Sequence, residues 1–106
     1  MTVHGLSEAL PLTTVNNEED RPVTGVFCCD LLSVAMAKAP EDSAWITVIG
    51  NANTIAVATL TDVSCIILAE GYSFDDNAIS AAKGKVALLC SDKPSYETAA
   101  SIGALL

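Results

Sequence analysis

Apolar, β-branched runs alternate along this chain with stretches whose apolar residues recur at helical spacing. The runs are four to seven residues long, which suits buried strands. They predict strands over residues 12–15, 23–29, 44–49, 64–69 and 86–90. The run at 64–69 is apolar on both of its faces, which is typical of a central strand in a parallel sheet.

Polar caps and helix breakers delimit two helices between these strands. Asp30 is the expected cap of a helix over residues 31–39, which stops before Pro40. Asn53 is the expected cap of a helix over residues 54–63, after a turn that begins at Gly50. The second helix is apolar on most sides, so we expect it to pack between the sheet and a further surface.

The same signals predict three other helices. Thr2 is the expected cap of a short helix that ends at Pro11. Ser73 is expected to open a helix that Gly84 ends. Ser95 is the expected cap of the last helix, whose predicted inward positions are Ala99, Ile102 and Leu106.

This alternation indicates an α/β fold. Crossovers of about a dozen residues between apolar strands are typical of right-handed βαβ units. We therefore predict a mainly parallel sheet of four to five strands flanked by helices in a single domain, which a length of 106 residues suits. The apolar share of 51% makes a homodimer plausible, with the helix at 54–63 or the last helix as the candidate contact.

Charge and hydropathy exclude several classes of partner. The net charge is -8, with only five cations, so neither a nucleic-acid backbone nor an anionic membrane is an expected partner. No apolar run approaches the length of about 20 residues that a membrane span requires. The first residues lack the basic and apolar regions of a signal peptide, and we expect a cytoplasmic protein.

The four cysteines do not form a metal-binding pattern. Cys28 and Cys29 are adjacent in a predicted strand and would point to opposite faces, and no Cys-x-x-Cys is present. His4 is the only histidine, and we expect it at the surface. We therefore predict no metal site and no cofactor, with the thiols serving as small buried apolar residues in a reducing compartment.

Polar turn residues follow the predicted parallel strands, whose carboxyl ends meet at one edge of the sheet. Such an edge, with helix N-termini above it, is where open α/β sheets bind ligands. The candidate ligand-binding residues are Asp30, Gly50, Asn51, Asn53, Glu70, Gly71, Tyr72, Ser95 and Tyr96. The alternative is that they are ordinary turn and cap residues, and that the tyrosines are half-buried packing residues rather than stacking platforms.

Catalytic motifs are missing from the sequence. The Gly84-Lys85 pair lacks the first glycine and the hydroxyl of a phosphate-binding loop, and no Gly-x-Gly-x-x-Gly or Gly-x-Ser-x-Gly occurs. His4 lies on a terminal helix, where it is poorly placed to activate a nucleophile. The sequence therefore favours a binding module over an enzyme.

Several stretches occur in an order that matches a known family. They are residues 20–33 (Asp-Arg-Pro-Val-Thr-Gly-Val-Phe-Cys-Cys-Asp-Leu-Leu-Ser), 44–48 (Ala-Trp-Ile-Thr-Val), 54–58 (Thr-Ile-Ala-Val-Ala), 65–71 (Cys-Ile-Ile-Leu-Ala-Glu-Gly) and 95–99 (Ser-Tyr-Glu-Thr-Ala). Together they resemble the DRTGG domain family, over nearly the whole chain. The chain looks most like the small stand-alone members, which are similar to the N-terminal domain of HPr kinase.

The resemblance implies a regulatory or interaction module. Relatives are fused to CBS domains or to phosphotransacetylases, and stand-alone members neighbour iron-hydrogenase genes, which implies a possible partner in a redox complex. The family's Gly-Asp-Arg is Gly50-Asn51-Ala52 here, and its Thr-Gly-Gly is Ala69-Glu70-Gly71. The missing arginine and the added Glu70 carboxylate argue against a phosphate site.

Overall fold

The computed structural model describes residues 1–106 and contains five strands and five helices. In chain order they are α1 (Val3–Ala9), β1 (Leu12–Asn16), β2 (Gly25–Cys28), α2 (Leu32–Lys38), β3 (Ser43–Thr47), α3 (Ala52–Thr61), β4 (Cys65–Leu68), α4 (Asp76–Ala82), β5 (Ala87–Ser91) and α5 (Ser95–Gly103).

The five strands form one sheet in the order β1-β5-β4-β3-β2. The pairs β2–β3, β3–β4 and β4–β5 are parallel, and Trp45 of β3 lies in register between Phe27 of β2 and Ile66 of β4. Strand β1 pairs antiparallel with β5, with an irregularity between Thr14 and Asn16. The predicted mainly parallel α/β domain is therefore confirmed.

Helices cover both faces of the sheet. On one face α2, α3 and α4 pack on inward residues of the strands, and this core contains Ala35, Trp45, Ile55, Ala58, Ile66, Leu68, Ala78 and Leu88. On the other face α1 and α5 cover a second core that contains Val3, Leu6, Ala44, Ile46, Cys65, Ile67, Leu89 and Ile102. Trp45 is fully buried, as the sequence predicts, and its indole Nε1 donates to the carbonyl of Cys29 at 2.9 Å.

The predicted elements are all present, but four predicted caps are wrong. Thr2 caps α1 as predicted, accepting from the N–H of Gly5. The side chains of Asp30, Asn53, Ser73 and Ser95 cap no helix; α2 begins after Leu31 and α5 after Pro94 with no side-chain cap, while Asn51 caps α3 and Asp75 caps α4. Asp30 instead accepts from Thr47 and Val48, and the N–H of Ser95 donates to Glu70, which are contacts between distant loops that local sequence patterns do not specify.

Two predictions about side-chain burial also need correction. Leu106, expected to point inward, is exposed, because α5 ends at Gly103 and the last residues leave the core. Of the four cysteines only Cys65 is fully buried; Cys28 is exposed at the end of the edge strand β2.

No helix combines the length and the apolar character needed to span a membrane.

Arg21 joins three loops at the edge of the sheet where the parallel strands begin. Its guanidinium donates to the carboxylates of Asp42 at 2.5 Å and Asp62 at 2.7 Å, and to the carbonyls of Asp62 and Val63. Asp42 and Asp62 adopt positive φ in the turns that lead into β3 and β4. Burial disfavours the charged guanidinium, but the hydrogen bonds to both carboxylates outweigh it and raise the pKa of Arg21.

We predict that Arg21→Ala lowers the free energy of unfolding by about 2–3 kcal/mol, because several charge-assisted hydrogen bonds to a mostly buried group are lost. Urea denaturation measures the change. Lys83→Ala is the matched control, since Lys83 is exposed and forms no ion pair, and it should change stability by less than about 0.5 kcal/mol. Equal stabilities of the two variants would contradict the role of Arg21.

Candidate functional site

The candidate residues lie at one edge of the sheet. Because β2, β3, β4 and β5 are parallel, the loops that follow them share the carboxyl edge. The residues there are Asp30 after β2, Gly50 and Asn51 after β3, Glu70, Gly71 and Tyr72 after β4, with Asn53 in the first turn of α3 and Ser95 and Tyr96 in that of α5. The predicted meeting of distant turns is correct, and the role of these residues in ligand binding stays a prediction.

Asp30 links the ends of two neighbouring strands. Its carboxylate accepts hydrogen bonds from the hydroxyl of Thr47 at 2.9 Å and from the N–H of Val48 at 3.2 Å. Thr47 is buried at the end of β3, so its hydroxyl requires a partner inside the protein. One carboxylate oxygen of Asp30 is therefore committed to the fold.

The Gly50 turn packs directly against the loop that precedes α4. A Cβ at Gly50 would lie 2.6 Å from the carbonyl oxygen of Ser73 and 2.7 Å from Cδ1 of Leu68. The carbonyl of Gly50 accepts from the N–H of Asp75 at 2.9 Å. Gly50 does not have a positive φ, so close approach rather than backbone conformation requires glycine here.

Asn51, next in the chain, is the residue that begins α3. Its side-chain oxygen accepts from the N–H groups of Asn53 at 3.0 Å and Thr54 at 3.2 Å. It therefore occupies donors at this helix N-terminus that an anionic ligand would otherwise use. The side chain of Asn53 is exposed and forms no hydrogen bond within the protein.

Glu70 and Gly71 form a tight turn that joins the ends of β4 and β5. Both have positive φ, and the N–H of Tyr72 donates to the carbonyl of Ala69, as in a type I′ turn. The N–H of Glu70 donates to the carbonyl of Lys93, and the N–H of Gly71 donates to that of Ser91. This turn is thus part of the hydrogen-bonding between adjacent loops.

The Glu70 carboxylate lies at the N-terminus of α5. Its Oε2 accepts from the N–H of Ser95 at 2.7 Å. A carboxylate is favoured at a helix N-terminus, where unpaired N–H groups and the helix dipole meet it. The protein's own side chain therefore takes a position that a phosphate would occupy at this helix N-terminus.

The two tyrosines point into solvent. Tyr96 is 82% accessible and is not half-buried, whereas Tyr72 is 55% accessible, so that nearly half of its surface is covered. Neither hydroxyl forms a hydrogen bond within the protein. Both rings are free to stack on a flat ligand, but the structure brings neither into a cavity.

A groove lies between α5 and the corner that joins α1 to β1. It has a volume of about 230 Å³ and is lined by Leu10, Pro11, Leu12, Ser91, Lys93, Glu97, Thr98 and Ser101. None of the nine candidate residues lines it, although the N–H of Gly71 contacts the carbonyl of Ser91 in its wall. The sequence contained no signal for this groove, because α5 meets the α1–β1 corner only in the folded chain.

The floor of the groove is polar, and its polar groups hydrogen-bond to one another. The hydroxyls of Ser91 and Thr98 are buried and lie 2.8 Å apart, and the N–H of Lys93 donates to the Ser91 hydroxyl. The Lys93 ammonium and the Glu97 carboxylate are exposed and take part in no ion pair. One wall is apolar and the other carries hydroxyls, one cation and one anion.

A second cavity, at the opposite, amino edge of the sheet, is small. It has a volume of about 10 Å³, room for one water molecule, and lies among Asn16, Arg21, Ser64 and Lys85. His4 is exposed beside Glu8, to which it is close enough for an ion pair. No group of three or more histidine, cysteine or acidic side chains is arranged to hold a metal ion.

The thiols differ in environment. Burial raises the pKa of Cys65 to about 12. Partial burial, reinforced by the nearby carboxylates of Asp30 and Asp92, also raises the pKa of Cys28 and Cys90. Raised pKa values keep these groups as thiols at neutral pH and reduce their reactivity.

Comparison with known proteins adds no assignment to this site. No protein-family model matches the chain, and no curated protein matches it.

We predict that Gly50→Ala destabilises the protein by about 1–3 kcal/mol, because the new methyl group overlaps the Ser73 carbonyl and the Leu68 side chain. Gly25→Ala is the matched control, since a Cβ there meets nothing within 4 Å. Thermal unfolding of both variants measures the difference. A Gly50 variant as stable as the Gly25 variant would refute the close packing of these loops.

We predict that Cys65 lowers stability above pH 9. Burial raises the thiol pKa from 9.0 in the unfolded chain to about 12 in the folded protein. Above pH 9 the thiol therefore ionises in the unfolded chain first, so the stability that the neutral buried thiol contributes is complete below pH 9 and is lost as the pH rises toward 12. The loss is about 1.4 kcal/mol per pH unit in that window. Urea denaturation of wild type and Cys65→Ala between pH 8 and 11 isolates this contribution, and parallel pH profiles would contradict it.

Proposed function

We propose that this protein is a non-enzymatic regulatory module that binds a nucleotide-like small molecule at the carboxyl edge of its sheet. The observation that carries the proposal is the groove beside Ser91 and Lys93, at the carboxyl end of β5. The helix after β4 lies on one face of the sheet and the helix after β5 lies on the other. Open α/β sheets usually bind ligands at the carboxyl edge, and this groove lies at that edge, where the covering helices change from one face to the other.

The chemistry of the groove suits a nucleoside with few phosphates. Leu10, Pro11 and Leu12 offer an apolar wall to a base, and the Glu97 carboxylate is a suitable acceptor for ribose hydroxyls. Lys93 offers one positive charge to a single phosphate. Glu70 already occupies the N-terminus of α5, and the chain carries a net charge of -8, so polyphosphates are disfavoured.

The resemblance to the DRTGG domain supports this regulatory proposal and stays a prediction. In that setting the protein acts as a homodimer in the cytoplasm, and ligand binding alters its contact with a partner. We include the homodimer in the proposal because α2 and α3 leave large apolar side chains exposed, among them Met36 and Leu60.

The alternative is an accessory protein of an anaerobic redox complex, associated with an iron hydrogenase, with no small-molecule ligand. One observation favours it: the loops of the carboxyl edge are closed by their own hydrogen bonds. Glu70 binds Ser95, and the Gly50 carbonyl binds the N–H of Asp75. A ligand contacting those atoms would have to displace them.

A nucleoside panel tests the proposal. We expect adenosine or guanosine and their monophosphates, at ten times their dissociation constants, to raise the melting temperature by about 5–10 °C. The corresponding triphosphates at the same concentrations should raise it less. Amide NMR shifts at residues 91–101 should accompany the rise. No shift with any member of the panel would overturn the ligand proposal and favour the accessory alternative.

Two exposed side chains give variants that leave the fold intact. Lys93→Ala should weaken monophosphate binding about tenfold while leaving nucleoside binding nearly unchanged, because it removes the only cation of the groove. Glu97→Gln should weaken both classes. Lys83→Ala, on the opposite helix layer, is the control and should bind like wild type; equal effects of the two lysine variants would place the ligand elsewhere.

A further inference from the structure

Helices α2 and α3 together present an outward surface that is apolar and almost free of charge. We call this the α2–α3 face; its exposed side chains include Leu31, Val34, Met36, Ala37, Ala56 and Leu60. Leu60 is 71% accessible and Leu31 is 60% accessible. Large apolar side chains grouped on two adjacent helices mark an interaction surface more often than isolated ones do.

The distribution of charge sets this face apart from the rest of the surface. None of the 13 acidic residues lies in α2 or α3, and Lys38 is the only charged residue in either helix. By contrast, α4 carries Asp76 and α5 carries Glu97. Two copies of a chain with a net charge of -8 repel each other, and the helices of the α2–α3 face add no carboxylate to that repulsion.

The two ends of α2 carry opposite charges. Asp30 is exposed just before α2, and Lys38 is exposed at the last position of α2. They lie at opposite ends of this seven-residue helix. Helices α2 and α3 both connect successive parallel strands, so they run in the same direction and add their dipoles.

We infer that the α2–α3 face binds a second copy of this chain in a two-fold, antiparallel arrangement. In that arrangement Lys38 of each copy faces Asp30 of the other, and the helix dipoles oppose each other. A two-fold axis makes one self-complementary surface sufficient for a closed dimer. This inference rests on the proposed homodimer, whose contact and orientation it specifies, and it does not depend on the ligand groove.

Leu60→Glu tests the location of the contact. Sedimentation equilibrium of wild type is expected to show a dimer, and Leu60→Glu should weaken it by about a hundredfold, because the most exposed apolar side chain of the contact is replaced by a carboxylate. Leu105→Glu is the matched control, since Leu105 is exposed after α5 on the opposite side of the sheet and should not alter dimerisation. Circular dichroism establishes that both variants are folded.

Charge variants test the orientation. Lys38→Glu should raise the dimer dissociation constant about tenfold, because two like-charge contacts replace two attractive ones. Adding Asp30→Asn should recover most of that loss, and the asparagine oxygen can still accept from Thr47 and Val48. Lys83→Glu changes the net charge equally and should have a much smaller effect.

The outcomes separate this inference from the proposals on which it rests. A monomeric wild type at all concentrations would overturn the homodimer and this contact together. A dimer unaffected by Leu60→Glu would overturn only the contact, and failure of Asp30→Asn to relieve Lys38→Glu would overturn the antiparallel orientation. Nucleoside binding by the Leu60→Glu monomer reports on the groove independently.

Discussion

The structure depends on burying both faces of a parallel sheet with a short chain. Strands β3 and β4 are buried along their whole length, so helices must cover each face. Three successive crossovers in one direction place α2, α3 and α4 on the same face, since such crossovers are right-handed. The opposite face is left to the two ends of the chain, α1 and α5, which cover it with Leu6 and Ile102.

The groove follows from this division of the helices between the two faces of the sheet. Helix α5 must cross to the face that α2, α3 and α4 leave open, so the helices after β4 and β5 lie on opposite faces of the sheet. Where α5 then meets the α1–β1 corner, the two terminal segments do not close the gap between them, and the groove remains. The candidate site is thus a consequence of how the second face is covered, rather than of any single motif.

The two edges of the sheet are organised by different means. At the amino edge one cation, Arg21, holds the turns before β3 and β4 through Asp42 and Asp62. At the carboxyl edge carboxylates and backbone groups serve the same purpose, with Asp30 between β2 and β3 and Glu70 between β4 and α5. Several of the acidic residues are therefore structural and lie in loops at the two edges of the sheet, whereas α2 and α3 themselves contain no carboxylate.

The sequence by itself determined the order and type of the elements and their mainly parallel arrangement, because hydrophobic periodicity and crossover length act over a few residues. It also placed Trp45 in the core and brought the candidate turns to one edge. The starts of α4 and α5 were decided by tertiary structure: Asp75 caps α4 in place of Ser73 where its N–H meets the Gly50 carbonyl, and the N–H of Ser95 is satisfied by Glu70, 25 residues away. The groove and the exposure of Leu60 were likewise decided only in the folded chain. Both depend on how segments that are far apart in the sequence pack together, and local sequence patterns do not specify that packing.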